Sequence, residues 1–238
     1  MQAKKERIWE LDALRGLMIL FVVVLHALFF AANMLRLYQM PRWLAVFMQY
    51  GGTLFVLLSG LCATLGSRSF RRGLLVFACG MLLTLGSMLC VQLGFLTSGY
   101  VIRFGVLHLL GVCMMLYPLL KRLPTWALGA LAAVLILAGF AVEEVTVESS
   151  WLFPMGLTAA DFSSGDYFPL LPHLGWFCAG AVLGRLLYSD KTTRFPQVNA
   201  ALPPIRFLCL CGRNSLWIFL LHLPLVGGIL MLFTVFLP

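Results

Sequence analysis

LDALRGLMILFVVVLH, Leu11 to His26, sets an arginine at Arg15 and a histidine at His26 with ten uncharged residues, Gly16 to Leu25, between them. The composition says what kind of run this is. Of 238 residues, 61% are hydrophobic and 11% charged, at a mean hydropathy of +0.97. That is more apolar surface than one soluble core can hide. The run is therefore read as bilayer-spanning, and the fold class as an all-α, polytopic integral membrane helical bundle.

Runs of about 20 apolar residues, the length that crosses a hydrocarbon core, recur along the chain. They predict seven spans: Leu14–Leu35, Trp43–Leu65, Gly73–Phe95, Phe104–Leu120, Trp126–Val142, Pro169–Tyr188 and Phe207–Phe236. The last is long enough to tilt or to end in an interfacial turn. No internal repeat, low-complexity tract or soluble domain interrupts them, so residues 1–238 are read as a single membrane domain. Asp12 and Arg15 stand at the entrance of the first run and no small-residue cleavage site follows it, so this run is expected to stay in the mature protein.

Basic residues predict the orientation. With a cytoplasmic N-terminus, all of the 17 Lys and Arg residues except Arg36, Arg42 and Arg103 fall in cytoplasmic segments. The longest outer loop, Glu143–Phe168, carries Glu143, Glu144, Glu148, Asp161 and Asp166 and no Lys or Arg. The formal net charge of +8 is thus a topological signal and calls for no nucleic-acid partner. The seven cysteines lie in or beside predicted helices without metal-ligand spacing to histidine, and read as small packing residues. Gly180 and Gly184, four residues apart in GWFCAGAVLG, suit close helix packing.

The four histidines, His26, His108, His173 and His222, all fall on the outer side of the expected midplane. At 1.5 Å of rise per residue, His26 lies about 16 Å above Arg15, and His222 at a similar or greater height above the start of its run. At 100° per residue, Arg15 and His26 differ by about 20°, with Asp12 on the same stripe, and Ser215 and His222 also differ by about 20°. Ionisable groups inside a bilayer are costly unless they meet a polar cavity or partner, so both stripes are expected to face inward. The plainer reading of each histidine is a hydrogen-bonding residue that holds helices together. The plainer reading of Asp12 is an ion pair with Arg15 that fixes a helix end.

RIWELDALRGLMILFVVVLH, FVLLSG, RFGVLHLLGV, DYFPLLPHLG and GRNSLWIFLLHLPLV, in this order, resemble bacterial members of the heparan-alpha-glucosaminide N-acetyltransferase catalytic-domain-like family of membrane proteins. The resemblance covers nearly the whole chain. The opening arginine and histidine are also similar to the first helix of broader bacterial membrane acyltransferases that decorate surface glycans. What the resemblance implies is an integral membrane acyltransferase in the bacterial cytoplasmic (inner) membrane. It would move an acyl group, acetyl foremost, from acyl-coenzyme A to an extracytoplasmic glycan, lipid-linked sugar or similar acceptor. No metal is implied, the lipid bilayer is the surrounding, and a homo-oligomer is left open.

On this reading Arg15 holds coenzyme A phosphate through paired, charge-assisted hydrogen bonds, with Asp12 beside it and Ser59 on the acyl path. His26 is the first candidate for general base or acyl carrier, His222 the second and His108 the third. Arg103, Asp166, Tyr167, His173, Asn214 and Ser215 are candidates for contact with the acceptor. The aromatic segment WLFPMGLTAADFSSGDYFP is expected to form an interfacial lid. In the family's namesake, the histidine in use falls in the outer loop after the first helix. NMLRLYQMPRW has none, so neither that assignment nor the heparan substrate carries over. Two other classes fit intramembrane His, Arg and Asp: a proton-coupled transporter, which lacks here the paired hydropathy repeats it would favour, and a non-catalytic scaffold.

Overall fold

The structure is a computed structural model and describes residues 7–33, 36–143, 145–149 and 151–236. Among these, the chain forms α1 (Trp9–Asn33), α2 (Arg42–Ala63), α3 (Ser69–Gln92), α4 (Val106–Leu120), α5 (Thr125–Val142), α6 (Leu170–Leu187), α7 (Pro203–Arg213) and α8 (Ser215–Phe236). Two 3-10 turns, Ser98–Tyr100 and Phe153–Met155, sit in the connections. The described residues contain no β-strand, only the isolated bridges Phe104 to Tyr167 and Thr146 to Thr158. Five helices, α1, α2, α3, α5 and α6, are long and apolar enough to cross a membrane, and the bent pair α7–α8 makes up to six. The protein is a multi-pass, all-helical membrane protein.

Four expected runs need correcting. The third helix covers Ser69–Gln92 rather than Gly73–Phe95. The first helix begins at Trp9 rather than Leu14, so Asp12 and Arg15 lie within it. Glu10 and Asp12 suit its first turn, where the amide dipoles favour negative charge. The expected end at Leu35 lies outside the described residues. The fourth helix begins at Val106, because Gly105 is the extended residue before it, and at 15 residues it is shorter than the other apolar helices. The run Phe207–Phe236 is not one helix: it breaks at Asn214, and α7 and α8 meet at 81°. Asn214 makes the corner. Its side-chain amide donates to the Leu210 carbonyl at 2.9 Å, while its own carbonyl accepts the Ile218 amide at 3.0 Å and so opens α8.

Internal contacts gather in two compact units. The first comprises residues 1–55 and 190–238, holding α1, the first part of α2, α7 and α8. Here α1 and α7 pack backbone against backbone. A Cβ on Gly16 would run into the Leu208 carbonyl and one on Gly212 into the Asp12 carbonyl, so glycine at both positions is what lets the helices meet. Cys209 and Cys211 are buried, and the Cys209 thiol donates to the Trp9 carbonyl at 3.4 Å. Glu10 takes the Thr193 hydroxyl at 2.9 Å and the Arg194 amide at 2.8 Å, which ties the segment before α7 to the start of α1.

The second unit, residues 56–189, holds the remainder of α2 and α3 to α6. Small residues again set the crossings. Gly60 lies on the Phe177 backbone and Gly180 on that of Leu57, while Gly184 faces Leu61 and Thr64, as the spacing in GWFCAGAVLG predicts. Arg185 ties the end of α6 to the α4–α5 turn by donating to the carbonyls of Leu123 at 2.7 Å and Lys121 at 3.1 Å.

Candidate functional site

In the first unit, the two polar stripes meet. Arg15 on α1 donates from a terminal guanidinium nitrogen to the Ser215 hydroxyl on α8 at 3.1 Å. Eleven residues on from Arg15 and seven on from Ser215, the rings of His26 and His222 stand 4.9 Å apart between centroids, tilted by 56°. The two contacts form two rungs between helices that run in the same direction. Phe219 walls the upper rung, with its ring centroid 5.2 Å from His222 and 6.5 Å from His26.

The backbone fixes the tautomers of this pair. Nδ1 of His26 lies 2.9 Å from the Val22 carbonyl and Nδ1 of His222 lies 2.6 Å from the Phe219 carbonyl. A carbonyl only accepts, so each Nδ1 carries its hydrogen and each Nε2 of a neutral ring keeps a bare lone pair. Nε2 of His222 is buried with no partner, and so is Nε of Arg15. Buried polar atoms normally find partners, so the two orphans on facing stripes make this column the candidate site.

Asp12 is not the partner of Arg15. Its carboxylate binds Arg213 at 3.1 Å and, more loosely, the exposed Arg7 at 3.8 Å. Among the described residues no carboxylate lies within ion-pair distance of Arg15. Asp12 therefore joins α1 to α7 and leaves the Arg15 charge uncompensated.

The remaining candidates lie in the second unit, apart from Asn214 at the α7–α8 corner. His108 is held on both nitrogens. Nδ1 accepts the Gly105 amide at 3.2 Å, so Nε2 carries the hydrogen and donates to Thr84 Oγ1 at 3.3 Å, whose own hydroxyl donates to the Ile102 carbonyl at 2.7 Å. Its ring stacks on Phe104 at 5.5 Å and sits over Gly80. Here the geometry is that of a helix-end anchor, the opposite tautomer to the α1–α8 pair. Asp166 accepts the Val106 amide at 3.0 Å and so caps α4. Tyr167 donates to the Phe153 carbonyl at 2.6 Å, and burial pushes its phenol up to about 12. His173 gives its Nδ1 hydrogen to the Pro169 carbonyl at 2.9 Å and lies against Phe168. Ser59 is half-buried on α2 beside Gly60.

Arg103 is exposed, donates to the Ser163 carbonyl at 3.2 Å and covers the Phe162 ring. With Phe153, Leu157, Ala159, Asp161 and Phe162 it lines a small open cleft in the aromatic outer segment. Sequence reasoning missed Thr84, Arg213, Phe219 and the Gly16–Gly212 contact. The glycines flanking Arg15 and Arg213 were the available signal, since a small residue beside a polar one in an apolar run marks close approach. No cluster of three or more His, Cys, Asp or Glu side chains able to hold a metal occurs among the described residues.

Apolar helices long enough to cross a membrane, two of them running parallel and bringing Arg15 to Ser215 and His26 to His222, define a helical membrane protein. The sequence matches, over residues 7–224, the family model described as heparan-alpha-glucosaminide N-acetyltransferase, catalytic, and the chain belongs to that family of membrane acetyltransferases. No curated protein and no solved structure matches it.

Proposed function

We propose that this protein is an integral membrane acyltransferase that moves an acyl group, acetyl foremost, from acyl-coenzyme A to an extracytoplasmic glycan, lipid-linked sugar or similar acceptor. The location proposed is the bacterial cytoplasmic membrane. The observation that carries this reading is the column of two rungs, Arg15 on Ser215 and His26 against His222.

Arg15 supplies a charge with no carboxylate partner among the described residues, suited to a phosphate of coenzyme A. Eleven residues of helix raise His26 about 16 Å above it, comparable to an extended pantetheine arm, so that a donor anchored at Arg15 brings its thioester to the imidazole. The bare Nε2 of His26 then takes the proton of the acceptor hydroxyl or amine, or attacks the thioester and carries the acyl group. In either route the acyl–sulfur bond breaks, the acyl–acceptor bond forms, and the acceptor's proton ends on the coenzyme A sulfur. Asp12 and Asn214 hold α1, α7 and α8 in place around this column, with Ser215 at its foot. Arg103, Asp166, Tyr167, His173 and Ser59 belong to the second unit, and no step of this proposal is placed on them.

The test is transfer of label from radiolabelled acetyl-coenzyme A to membrane or envelope material, in membranes carrying the wild type or His26→Gln, with a melting curve for each purified protein. The expected result is loss of transfer with melting unchanged, since glutamine still hydrogen-bonds but neither holds a proton nor carries an acyl group. Full transfer by a folded variant would remove His26 from the chemistry. Substrate flux without a covalent product would favour the transporter reading, and wild-type membranes that transfer no label would favour a scaffold.

A further inference from the structure

We infer that the cleft lined by Arg103 and Asp161 seats the headgroup of an ethanolamine phospholipid, with the phosphate on Arg103 and the ammonium on Asp161. The site lies wholly within the second unit and is independent of the acyltransferase reading, since it needs neither acyl donor nor acceptor.

The α3–α4 and α5–α6 connections build the cleft as one piece. The Gly165 amide donates to the Val101 carbonyl at 3.1 Å, the Phe168 amide to the Phe104 carbonyl at 2.9 Å and the Arg103 amide to the Ser164 hydroxyl at 3.1 Å. Ser164 gives its own hydrogen to the Asp166 carbonyl at 2.7 Å. The rings of Phe153 and Phe162 stack at 5.7 Å, and Tyr167 closes on Phe162 at 4.8 Å. Arg103 is fixed to this frame through Nε, which donates to the Ser163 carbonyl, and through the Phe162 ring 5.8 Å away. Those contacts leave its two terminal nitrogens for a ligand. Arg103 and Asp161 line the same cleft, yet among the described residues neither side chain forms an ion pair.

An unpaired cation and an unpaired anion in one cleft select for a ligand that carries both charges. A ligand with a single charge would pair with one wall and meet its own sign on the other. A purely anionic one would also enter against a negative field: residues 143–168 hold five acidic side chains and no Lys or Arg, and Arg103 is the only charged residue in 93–105. Phosphoethanolamine meets both walls. Its phosphate accepts paired, charge-assisted hydrogen bonds from the guanidinium fork, and its primary ammonium donates to the carboxylate with the Phe153 ring at hand.

The position of the cleft names the source of the headgroup. Both connections join helices long and apolar enough to cross a membrane, which puts them at the bilayer surface. Next to Phe153 in sequence, Trp151 is 87% exposed, and Leu152 and Met155 are exposed as well. Tryptophan and aliphatic side chains presented in this way suit the boundary between headgroups and acyl chains. A lipid seated by its headgroup would hold the aromatic segment down on the bilayer.

The test is lipid binding by full-length, detergent-purified protein, read by native mass spectrometry with ethanolamine, choline and glycerol phospholipids of identical acyl chains. All three carry the phosphate, but the choline ammonium has no N–H to donate and the glycerol headgroup has no ammonium. The expected result is that the ethanolamine lipid binds about tenfold more tightly than the other two, the weight of one charge-assisted hydrogen bond. Asp161→Asn should erase that preference and leave binding of the glycerol lipid unchanged. Arg103→Gln should weaken binding of the ethanolamine lipid by a similar factor. Arg103 also holds the Ser163 carbonyl, so a melting curve accompanies its variant. The Asp161 side chain makes no hydrogen bond among the described residues, and Asp161→Asn carries the test if Arg103→Gln does not fold. Equal affinity of the wild type for the three lipids, or an undiminished preference in Asp161→Asn, would overturn the inference. Water-soluble glycerophosphoethanolamine should not displace the lipid at equal concentration, and displacement would overturn the bilayer as the source of the headgroup.

Discussion

Asp12 binds Arg213 at 3.1 Å, across to α7, and not Arg15 one turn along its own helix. The guanidinium of Arg15 is left with the Ser215 hydroxyl and with an Nε that is buried and unpartnered. A cation so placed is poised for an anion. Arg15→Ala is expected to weaken acetyl-coenzyme A binding by tenfold or more, since a charge-assisted hydrogen bond contributes about 1.5–3 kcal/mol. Arg15→Lys should fall between, because an ammonium keeps the charge and loses the planar, two-pronged geometry. Titration calorimetry on detergent-purified protein measures this, and equal affinity in all three proteins would take Arg15 out of the donor site.

The Asp12–Arg213 pair makes a different prediction. Joining α1 to α7 is a structural task, so Asp12→Asn should lower thermal stability by about 1 kcal/mol, the scale of a partly exposed ion pair. The exposed Arg7 adds little. Donor affinity should stay within twofold of the wild type in the same calorimetry. A large loss of affinity with unchanged melting would place Asp12 in the donor site instead.

The reciprocal glycines are the least tolerant positions of the first unit. Gly212→Ala forces a methyl into the Asp12 carbonyl, and a rigid backbone cannot yield as a side chain would. A cost of about 1–3 kcal/mol is expected. Gly228→Ala on α8, where a Cβ meets nothing within 4 Å, is the control and should not be destabilised. Comparable melting of the two variants would mean that the α1–α7 contact is looser than described.

His108 and His26 should part company under mutation. Thr84→Val removes the acceptor of the His108 Nε2 hydrogen and the donor to the Ile102 carbonyl at once, for an expected loss of about 1–3 kcal/mol. His108→Gln should likewise cost stability, whereas His26→Gln should cost transfer. Melting and transfer assays on the three variants separate the roles. A stable but inactive His108→Gln would return His108 to the chemistry.

Helical periodicity placed Arg15 with His26 and Ser215 with His222, because angle along one helix is local information. That these two stripes face each other was not legible, since Arg15 and Ser215 stand 200 positions apart and periodicity along one helix does not tell which helices become neighbours. Proximity in sequence also misled: three residues separate Asp12 from Arg15, yet the carboxylate turns to α7. The break at Asn214 was hidden by hydropathy, as Phe207 to Cys211 are apolar on both sides of α7, although Gly212 and Asn214 are residues that end helices. The anchoring of His108 depends on Gly105 and Thr84 from other segments, and so lay beyond any single-helix reading.

The direction of α8 bears on how many times the chain crosses the membrane. Arg15 meets Ser215 near the start of both helices and His26 meets His222 further along both, so α1 and α8 run parallel. Two parallel spans require an odd number of crossings between them. If helices α2, α3, α5 and α6 cross, they alone make four, which would return α8 antiparallel, so α4 is predicted to cross as well despite its 15 residues. Together with the cytoplasmic N-terminus that the basic residues predict, this predicts seven crossings and α8 running outward. Reporter fusions after Tyr100 and Leu123, which bracket α4, should read outside and inside respectively. Fusions after Ser149 and Arg194, which bracket α6, should also read outside and inside. If Tyr100 and Leu123 report the same side, α4 does not span, and the parallel pairing of α1 with α8 cannot hold in the membrane.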